Sequence, residues 1–375
     1  MHTTTSSPED RVQRLLSYLS TDPTNRSLRI DLAHAAFDSG QHDLCERMLD
    51  ALRQDEPQSA ALLNLEGLNA LARGLPERAI EVFRSIPAAA RGAVVQYNEA
   101  YALALTGQYE EALNSLTAAD PAAMPLAVAL RIRVLHHLKR LEEALALGEQ
   151  YAESVPEIAA PYAVALFDAG NADAARTYAQ RAGHSPDAWV ILALLDLETG
   201  AIDAAEWHLA RALQYQPEHA RAQLGMGLVQ MARRQFDAAG NTLSAAARSF
   251  RSHSGAWIAA GWAYLYKGDL ATARRAFDTA VAVDRTFAEA HGSLAVLDIK
   301  EGLLASARTH IETAQRLDKA CASAALALGM LQDAEGESVG SKATIDAALR
   351  RPFGTDNRTL LQRLATYTGN QRAIE

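Results

Sequence analysis

The stretch DAWVILALLDLETGAIDAAEWHLARALQYQPEHA, residues Asp187–Ala220, decides how this chain is read. Two short amphipathic segments flank Gly200, and Pro217 closes the second. Trp189, Leu192, Ala193 and Asp196 fall at i, i+3, i+4 and i+7, which is one face of a helix. After the glycine, Ala205, Leu209 and Ala212 recur at the same kind of spacing. The small residues Ala193, Ala205 and Ala212 stand where two helix backbones would approach closely. A hairpin this small cannot bury its apolar face alone, so it needs neighbours.

The chain supplies them. Counting forward from Gly200, equivalent turns fall at Arg234, Gly268, Gly302 and Gly336, each 34 residues after the last. Counting back they fall at Gly170, Lys139, Gly107, Gly74 and Gly40, with steps of 30, 31, 32, 33 and 34. Five residues after the turns stand Cys45, Ala79, Ala112, Ala144, Ala175, Ala205, Ala239, Ala273, Ala307 and Ser341. Seven before stand Ala33, Gly67, Ala100, Ile132, Ala163, Ala193, Gly227, Gly261, Ala295 and Gly329. Agreement at three registers is the mark of a repeat array in which each unit packs on the next.

On these residues the chain resembles the tetratricopeptide repeat family, built of 34-residue helix-turn-helix units. Trp189 and Trp257, with Gly261 and Tyr264, match its first-helix signature; Ala205, Leu209, Ala212 and Pro217, like Ala273, Phe277 and Ala280, match the second. The resemblance covers about ten units from Arg26 to Phe353. It implies an all-α, right-handed α-solenoid with capping helices at both ends. It says little about function, because such arrays serve unrelated processes.

The expected organisation is a disordered tail over 1–8, an N-terminal capping helix over 9–25, irregular repeats over 26–185, regular repeats over 186–353 and a C-terminal capping helix over 354–375. In the first cap, Val12, Leu15, Leu16 and Leu19 share a face; in the last, Leu360, Leu361, Leu364 and Ala365 do. The shortened steps coincide with Pro87, Pro121, Pro125, Pro156, Pro161 and the Gly183–Pro186 junction, which reads equally as a hinge or a tight connector. From Ala334 to Lys342 the turn reads AEGESVGSK, and its extra glycines predict a longer, frayed connection.

Charge placement supports the same register. Arg73, Lys139, Arg233 and Lys267 lie in the last turns of first helices, where the carbonyl end favours cations. Asp43, Glu77, Glu110, Glu142, Asp173, Asp203 and Asp237 each begin a second helix, where acids complement free N–H groups. Helix-end electrostatics accounts for all of them.

Composition bounds the function classes. The chain is 49% hydrophobic with only 6% aromatic residues, as an alanine-rich helical core requires. The net charge of −9 argues against a nucleic-acid partner. Cys45 and Cys321 have no metal-ligand company or pairing signature, and Cys45 occupies a packed register. The start MHTTTSSPEDRV lacks a basic, apolar leader, and the longest apolar run, Ala188–Leu195, is too short to span a bilayer. A reducing, cytoplasmic setting is expected.

No nucleophile triad, metal cluster or phosphate loop is present in the sequence, so a non-enzymatic protein without cofactor or metal is expected. His136-His137 is the most tempting pair, but adjacent helical residues point about a hundred degrees apart. The informative residues form a second stripe on each first helix, ten, six and three residues before the turn. In the family this face lines the concave groove. Here it reads Ile30, His34, Phe37; Asn64, Leu68, Leu71; Tyr97, Tyr101, Ala104; Ala129, Arg133, His136; Ala160, Val164, Phe167. It continues Val190, Leu194, Leu197; Leu224, Leu228, Met231; Ile258, Trp262, Leu265; Gly292, Val296, Ile299; Leu326, Met330, Asp333.

Relatives that clamp a carboxylate use Lys and Asn here, whereas this stripe is mainly apolar with Arg133 its one full cation and Asn64 its one amide. An apolar stripe suits the nonpolar face of a helix or an extended hydrophobic segment. The expected groove residues are Tyr97, Tyr101, Phe167, Leu194, Leu228, Ile258 and Trp262, with Arg133 and His136 as a polar anchor. Part of the stripe must also be packing between neighbouring first helices. The expected function is a scaffold or chaperone holding a protein or peptide partner, with no nucleic acid and no membrane span. Two further readings stay open: a structural protein that self-associates through its ends, and a small-molecule or lipid sensor using the same groove.

Overall fold

The computed structural model describes residues 8–54, 58–116, 124–250, 253–349, 352–353 and 358–359. Its helices divide into two compact units, Met1–Ala165 and Leu166–Glu375. In the first unit α1 (Pro8–Thr21) precedes four hairpins. These are α2 (Arg26–Asp38) with α3 (His42–Arg53), α4 (Ala60–Ala72) with α5 (Pro76–Ser85), α6 (Ala93–Leu105) with α7 (Tyr109–Ser115), and α8 (Pro125–His137) with α9 (Leu141–Tyr151). The division falls within α10 (Ala159–Asp168), ahead of the Gly183–Pro186 junction.

The second unit continues with α11 (Ala172–Arg181) and five further hairpins. They are α12 (Pro186–Glu198) with α13 (Ile202–Tyr215), α14 (Ala220–Ala232) with α15 (Phe236–Ser249), α16 (Ser254–Lys267) with α17 (Leu270–Val283), α18 (Ala288–Lys300) with α19 (Leu304–Leu317), and α20 (Ala322–Ala334) with α21 (Ser338–Leu349). After them Pro352–Phe353 pairs antiparallel with Arg358–Thr359. Residues 1–7 of the expected tail, and Leu360, Leu361, Leu364 and Ala365 of the expected C-terminal cap, lie outside the described residues.

The backbone explains the turns. All ten turn positions read from the sequence have positive φ, from +60° at Lys139 to +91° at Gly268. The residue after each turn donates its N–H five residues back, as Ala201 does to the Asp196 carbonyl and Leu303 to that of Asp298, both at 2.8 Å. This is the closure of a Schellman C-cap, which needs one left-handed residue and so favours glycine. Lys139 and Arg234 adopt it against their preference. Lys139→Gly and Arg234→Gly are therefore each expected to stabilise the fold by about 0.5 kcal/mol, the relief of left-handed strain less the entropy of a freer unfolded chain. A thermal melt raised by a degree or so per substitution checks this.

Packing explains the small residues. Ala33, Ala100, Ile132, Ala163, Ala193 and Ala295, seven before the turn, and Cys45 and the eight alanines from Ala79 to Ala307, five after it, are all fully buried. Where the first of these registers holds glycine, the residue nine after the turn is bulky. A Cβ on Gly67 would overlap the Phe83 ring, one on Gly261 the Phe277 ring, and one on Gly227 or Gly329 the side chains of Leu243 or Ile345. At the fourth hairpin the sizes reverse: Ile132 stands seven before the turn and Gly148 nine after it, and the open face of Gly148 is taken by the Tyr162 ring.

First helices also meet the first helix of the next hairpin: α4 with α6 and α6 with α8 in the first unit, and α12, α14, α16 and α18 with their successors in the second. At the start, Val12 of α1 is fully buried with Leu15, Leu16 and Leu19 packed beside it. Second helices are longest in the regular repeats. The four from α13 to α19 each have 14 residues. By contrast α5, α7, α9 and α11 have 10, 7, 11 and 10.

One local expectation is corrected. The AEGESVGSK segment does not form a long frayed turn: α20 ends at Ala334, Gly336 takes φ +87°, and α21 begins at Ser338. Gly336 alone provides the left-handed residue, so Gly340 and Ser341 are free to join the helix, where the Ser341 N–H reaches the Glu337 carbonyl at 3.0 Å.

Candidate functional site

In the first unit, Tyr97 and Tyr101 lie one turn apart on α6 with stacked rings, centroids 6.4 Å apart and planes 22° from parallel. Tyr101 is 39% exposed and Tyr97 half-buried. Burial, then the neighbouring Tyr101, raise the Tyr97 hydroxyl pKa, while the charge of Arg133 on α8 opposes both. The arrangement thus brings Tyr97, Tyr101 and Arg133 into one patch. His136, one turn beyond Arg133, is half-buried and meets His137 edge-on at 5.9 Å. His137 lies flat on Tyr109, 4.6 Å between centroids and 3° from parallel, so the two histidines diverge as the helical geometry requires.

In the second unit, Phe167, Leu194, Leu228 and Trp262 are half-buried. Trp262 is held firmly: its indole N–H donates to Ser293 Oγ at 3.1 Å, and its ring meets Tyr266 at 5.9 Å and the edge of Phe277 at 6.1 Å. Ile258 differs. It is only 9% exposed and belongs to the core cluster around Phe277, so its part is packing. Elsewhere in the stripe Ala129, Ala160, Val190, Leu197, Leu265, Gly292 and Val296 are buried too. Asn64 is engaged by Asn98 of the next first helix, whose Nδ2 donates to Asn64 Oδ1 at 2.9 Å.

Sequence reasoning missed the ion pairs that join hairpins. Arg73 pairs with Asp43 and Glu46, Arg233 with Asp203 at 2.7 Å and with Glu206, and Lys267 with Asp237. Asp43, Asp203 and Asp237 begin second helices, so the pairs join one hairpin's second helix to the end of the next first helix. Their exposure to solvent leaves each of them weak. The buried acids matter more. Asp196 receives Arg176 at 2.9 Å and His208 at 3.0 Å. Asp298, fully buried, receives Arg274 at 2.6 Å, Ser306 at 2.6 Å and His310 at 2.9 Å.

Burial alone would raise the Asp298 pKa, but the bonds from Ser306, Arg274 and His310 together hold it below the usual carboxylate range. A depressed folded-state value means that its stabilisation is complete above the unfolded-state pKa, near 3.9, and disappears as pH falls through the lower folded value. Asp298→Asn is therefore expected to cost about 3 kcal/mol at pH 7, by leaving Arg274 partly uncompensated, and to show less loss between pH 5 and pH 3 than the parent. Chemical denaturation at the three pH values checks both.

Two first helices are capped by histidine, which no simple capping rule predicts. His219 Nδ1 accepts the Ala222 N–H at 3.2 Å, so its Nε2 carries the proton and donates to Asp187 Oδ1 at 3.0 Å. His253 caps Ala256 in the same way at 3.0 Å. Both cysteines are buried thiols. Burial and then Glu46 push Cys45 up to about 11; burial and then Glu289 push Cys321 up to about 12, while its Sγ caps α20 through the Ala324 N–H at 3.4 Å. Among the described residues no cluster of metal-ligating side chains occurs, and no helix is long and apolar enough to cross a membrane.

Comparison with known proteins agrees with this architecture. Tetratricopeptide repeat profiles match residues 30–94, 196–260 and 258–320, about half the chain. The chain belongs to the tetratricopeptide repeat family. No curated protein matches it in sequence. Among solved structures it is similar to a chain of the Cut9-Hcn1 hetero-tetramer of the APC/C, with 13% identity and a TM-score of 0.52 over 97% of this chain and 80% of that one. It is also similar to a monomeric IFIT1 mutant with Gppp-AAAA, with 14% identity and a TM-score of 0.51 over 92% of this chain and 96% of that one. At such identities the likeness concerns the fold, an all-α solenoid of a kind used as a protein–protein interaction scaffold.

Proposed function

We propose that the protein is a non-enzymatic scaffold or chaperone that holds a helical or extended apolar segment of a partner protein on its first-helix stripe, in the cytoplasm. The observation that carries this reading is the pairing of Tyr97 with Tyr101 on α6, with the larger ring surface of Tyr101 left 39% exposed and Arg133 beside it. Rigid aromatic rings next to an arginine are the composition of interface hot spots. The half-buried Leu194, Leu228 and Trp262 provide a comparable apolar strip in the second unit. Burying about 400 Å² of apolar surface on each side would supply roughly 20 kcal/mol gross, most of it offset by ordering, which leaves micromolar binding within reach.

A ligand such as the Gppp-AAAA of the IFIT1 structure needs a cationic lining. The stripe here has Arg133 as its one full cation, and the chain carries a net charge of −9, which favours a protein segment. The test is affinity purification from native lysate with mass spectrometry, using the parent and Tyr101→Ala side by side. The reading expects a small set of polypeptides retained by the parent and depleted with Tyr101→Ala. Identical sets would contradict it.

A further inference from the structure

The second unit contains a cleft of about 320 Å³ between α15 and α17, floored by Tyr264 of α16 and lined by Asn241, Ser244, Arg248, Trp257 and Arg275. Its origin is legible from the repeat. Thirty-four residues further on, the equivalent position is filled by the Asp298 cluster. There Asp298 stands where the cleft has Tyr264, Arg274 where it has Gly240, and His310 where it has Ala276. Losing the arginine and histidine side chains empties the space, and Tyr264 leans over Gly240 so closely that a Cβ there would stand 2.8 Å from its ring.

The charge is inverted as well. In the neighbouring hairpin the buried group is a carboxylate that gathers Arg274, His310 and Ser306. Among the described residues no carboxylate lines the cleft, yet it holds two arginines that have no counterpart in the neighbour, where Ala282 and Thr309 take their places. Neither Arg248 nor Arg275 forms an ion pair among the described residues, whereas Arg176, Arg221, Arg233, Arg274 and Arg308 of the same unit all do. Arg275 Nη2 donates only to Thr272 Oγ1, at 2.9 Å. The Arg275 charge reaches Asp269, whose carboxylate also accepts the Thr272 N–H at 3.0 Å.

Donors for an anion are also present. Ser244 Oγ and Tyr264 Oη lie 3.2 Å apart and share one hydrogen bond, which leaves the second hydroxyl proton of the pair free to donate. The Trp257 and Tyr264 rings add flat apolar walls. We infer that this cleft binds a small organic oxyanion with a flat apolar body, a carboxylate or a phosphate monoester, whose charged head occupies the space beside Ala276 that His310 fills in the next hairpin. The site is separate from the first-helix stripe and does not depend on the function proposed for it.

Isothermal titration of the full chain with benzoate, phenyl phosphate and the uncharged benzyl alcohol tests this. Saturable 1:1 binding is expected for at least one anion and not for the alcohol; the tighter anion identifies the head group. Arg248→Gln and Arg275→Gln, both at exposed positions, should each weaken that anion at least about tenfold. Ala276→His, which restores the neighbour's filling residue, should abolish binding while the melting temperature stays within a few degrees. Equal binding of the alcohol, no anion binding up to 10 mM, or undiminished affinity in both arginine variants would overturn the inference.

Discussion

Gly261→Val is expected to unfold the hairpins around α16 and α17 at a cost of about 3 kcal/mol or more, a loss visible as a lower midpoint in chemical denaturation. The reason is local and severe. Gly261 sits seven residues before its turn, and even a single Cβ there would overlap the fully buried Phe277 ring. Valine adds two further methyl groups against a helix that cannot retreat, because α17 also packs on α18. Shrinking the opposing residue should restore part of the loss, so Gly261→Val with Phe277→Ala is expected to be more stable than Gly261→Val alone. Ordinarily Phe→Ala in a core costs about 3 kcal/mol, so a double variant better than one of its parents is a demanding result. Plain additivity of the two losses would show that the complementary sizes do not meet.

The second large effect concerns binding. Once a partner segment is in hand, Tyr101→Ala and Trp262→Ala are each expected to weaken it by about 30-fold, since each truncation removes an aromatic anchor of roughly 2 kcal/mol. The two arms separate stability from recognition. Tyr101 is largely free of the core, so Tyr101→Ala should leave the melt unchanged. Trp262 is bonded to Ser293 and packed on Phe277, so Trp262→Ala should lower the melt as well. Unchanged affinity in Tyr101→Ala at an unchanged melt would remove the stripe from consideration.

The turns were legible because they depend on a property of one residue and on local spacing. All ten repeat turns carry a left-handed φ, and even Lys139 and Arg234, which are poor at it, could be placed by counting. The alanine and glycine registers were legible for a similar reason: contact between paired helices constrains size at fixed intervals. The charged residues were only half legible. Asp203 and Asp237 look fully explained by their helix starts, but each also holds a cation some thirty residues away in the next hairpin. Asp298 gave no signal at all, because its partners Arg274 and His310 come from two different second helices. The stripe was the hardest to read. Val296 and Tyr101 occupy the same register, yet one is buried and the other exposed, a difference set by how neighbouring first helices cross and by what they carry, not by spacing along either one.

The central claim is that first helices keep part of their stripe for another polypeptide, while second helices present no surface to it. A photo-crosslinking amino acid placed in turn at Tyr101, at Leu228 and at Glu312 on the second helix α19, in the cell that makes the protein, tests this most directly. The account predicts discrete polypeptide adducts from positions 101 and 228 and none from 312. Adducts from 312 alone, or from none of the three, would contradict it.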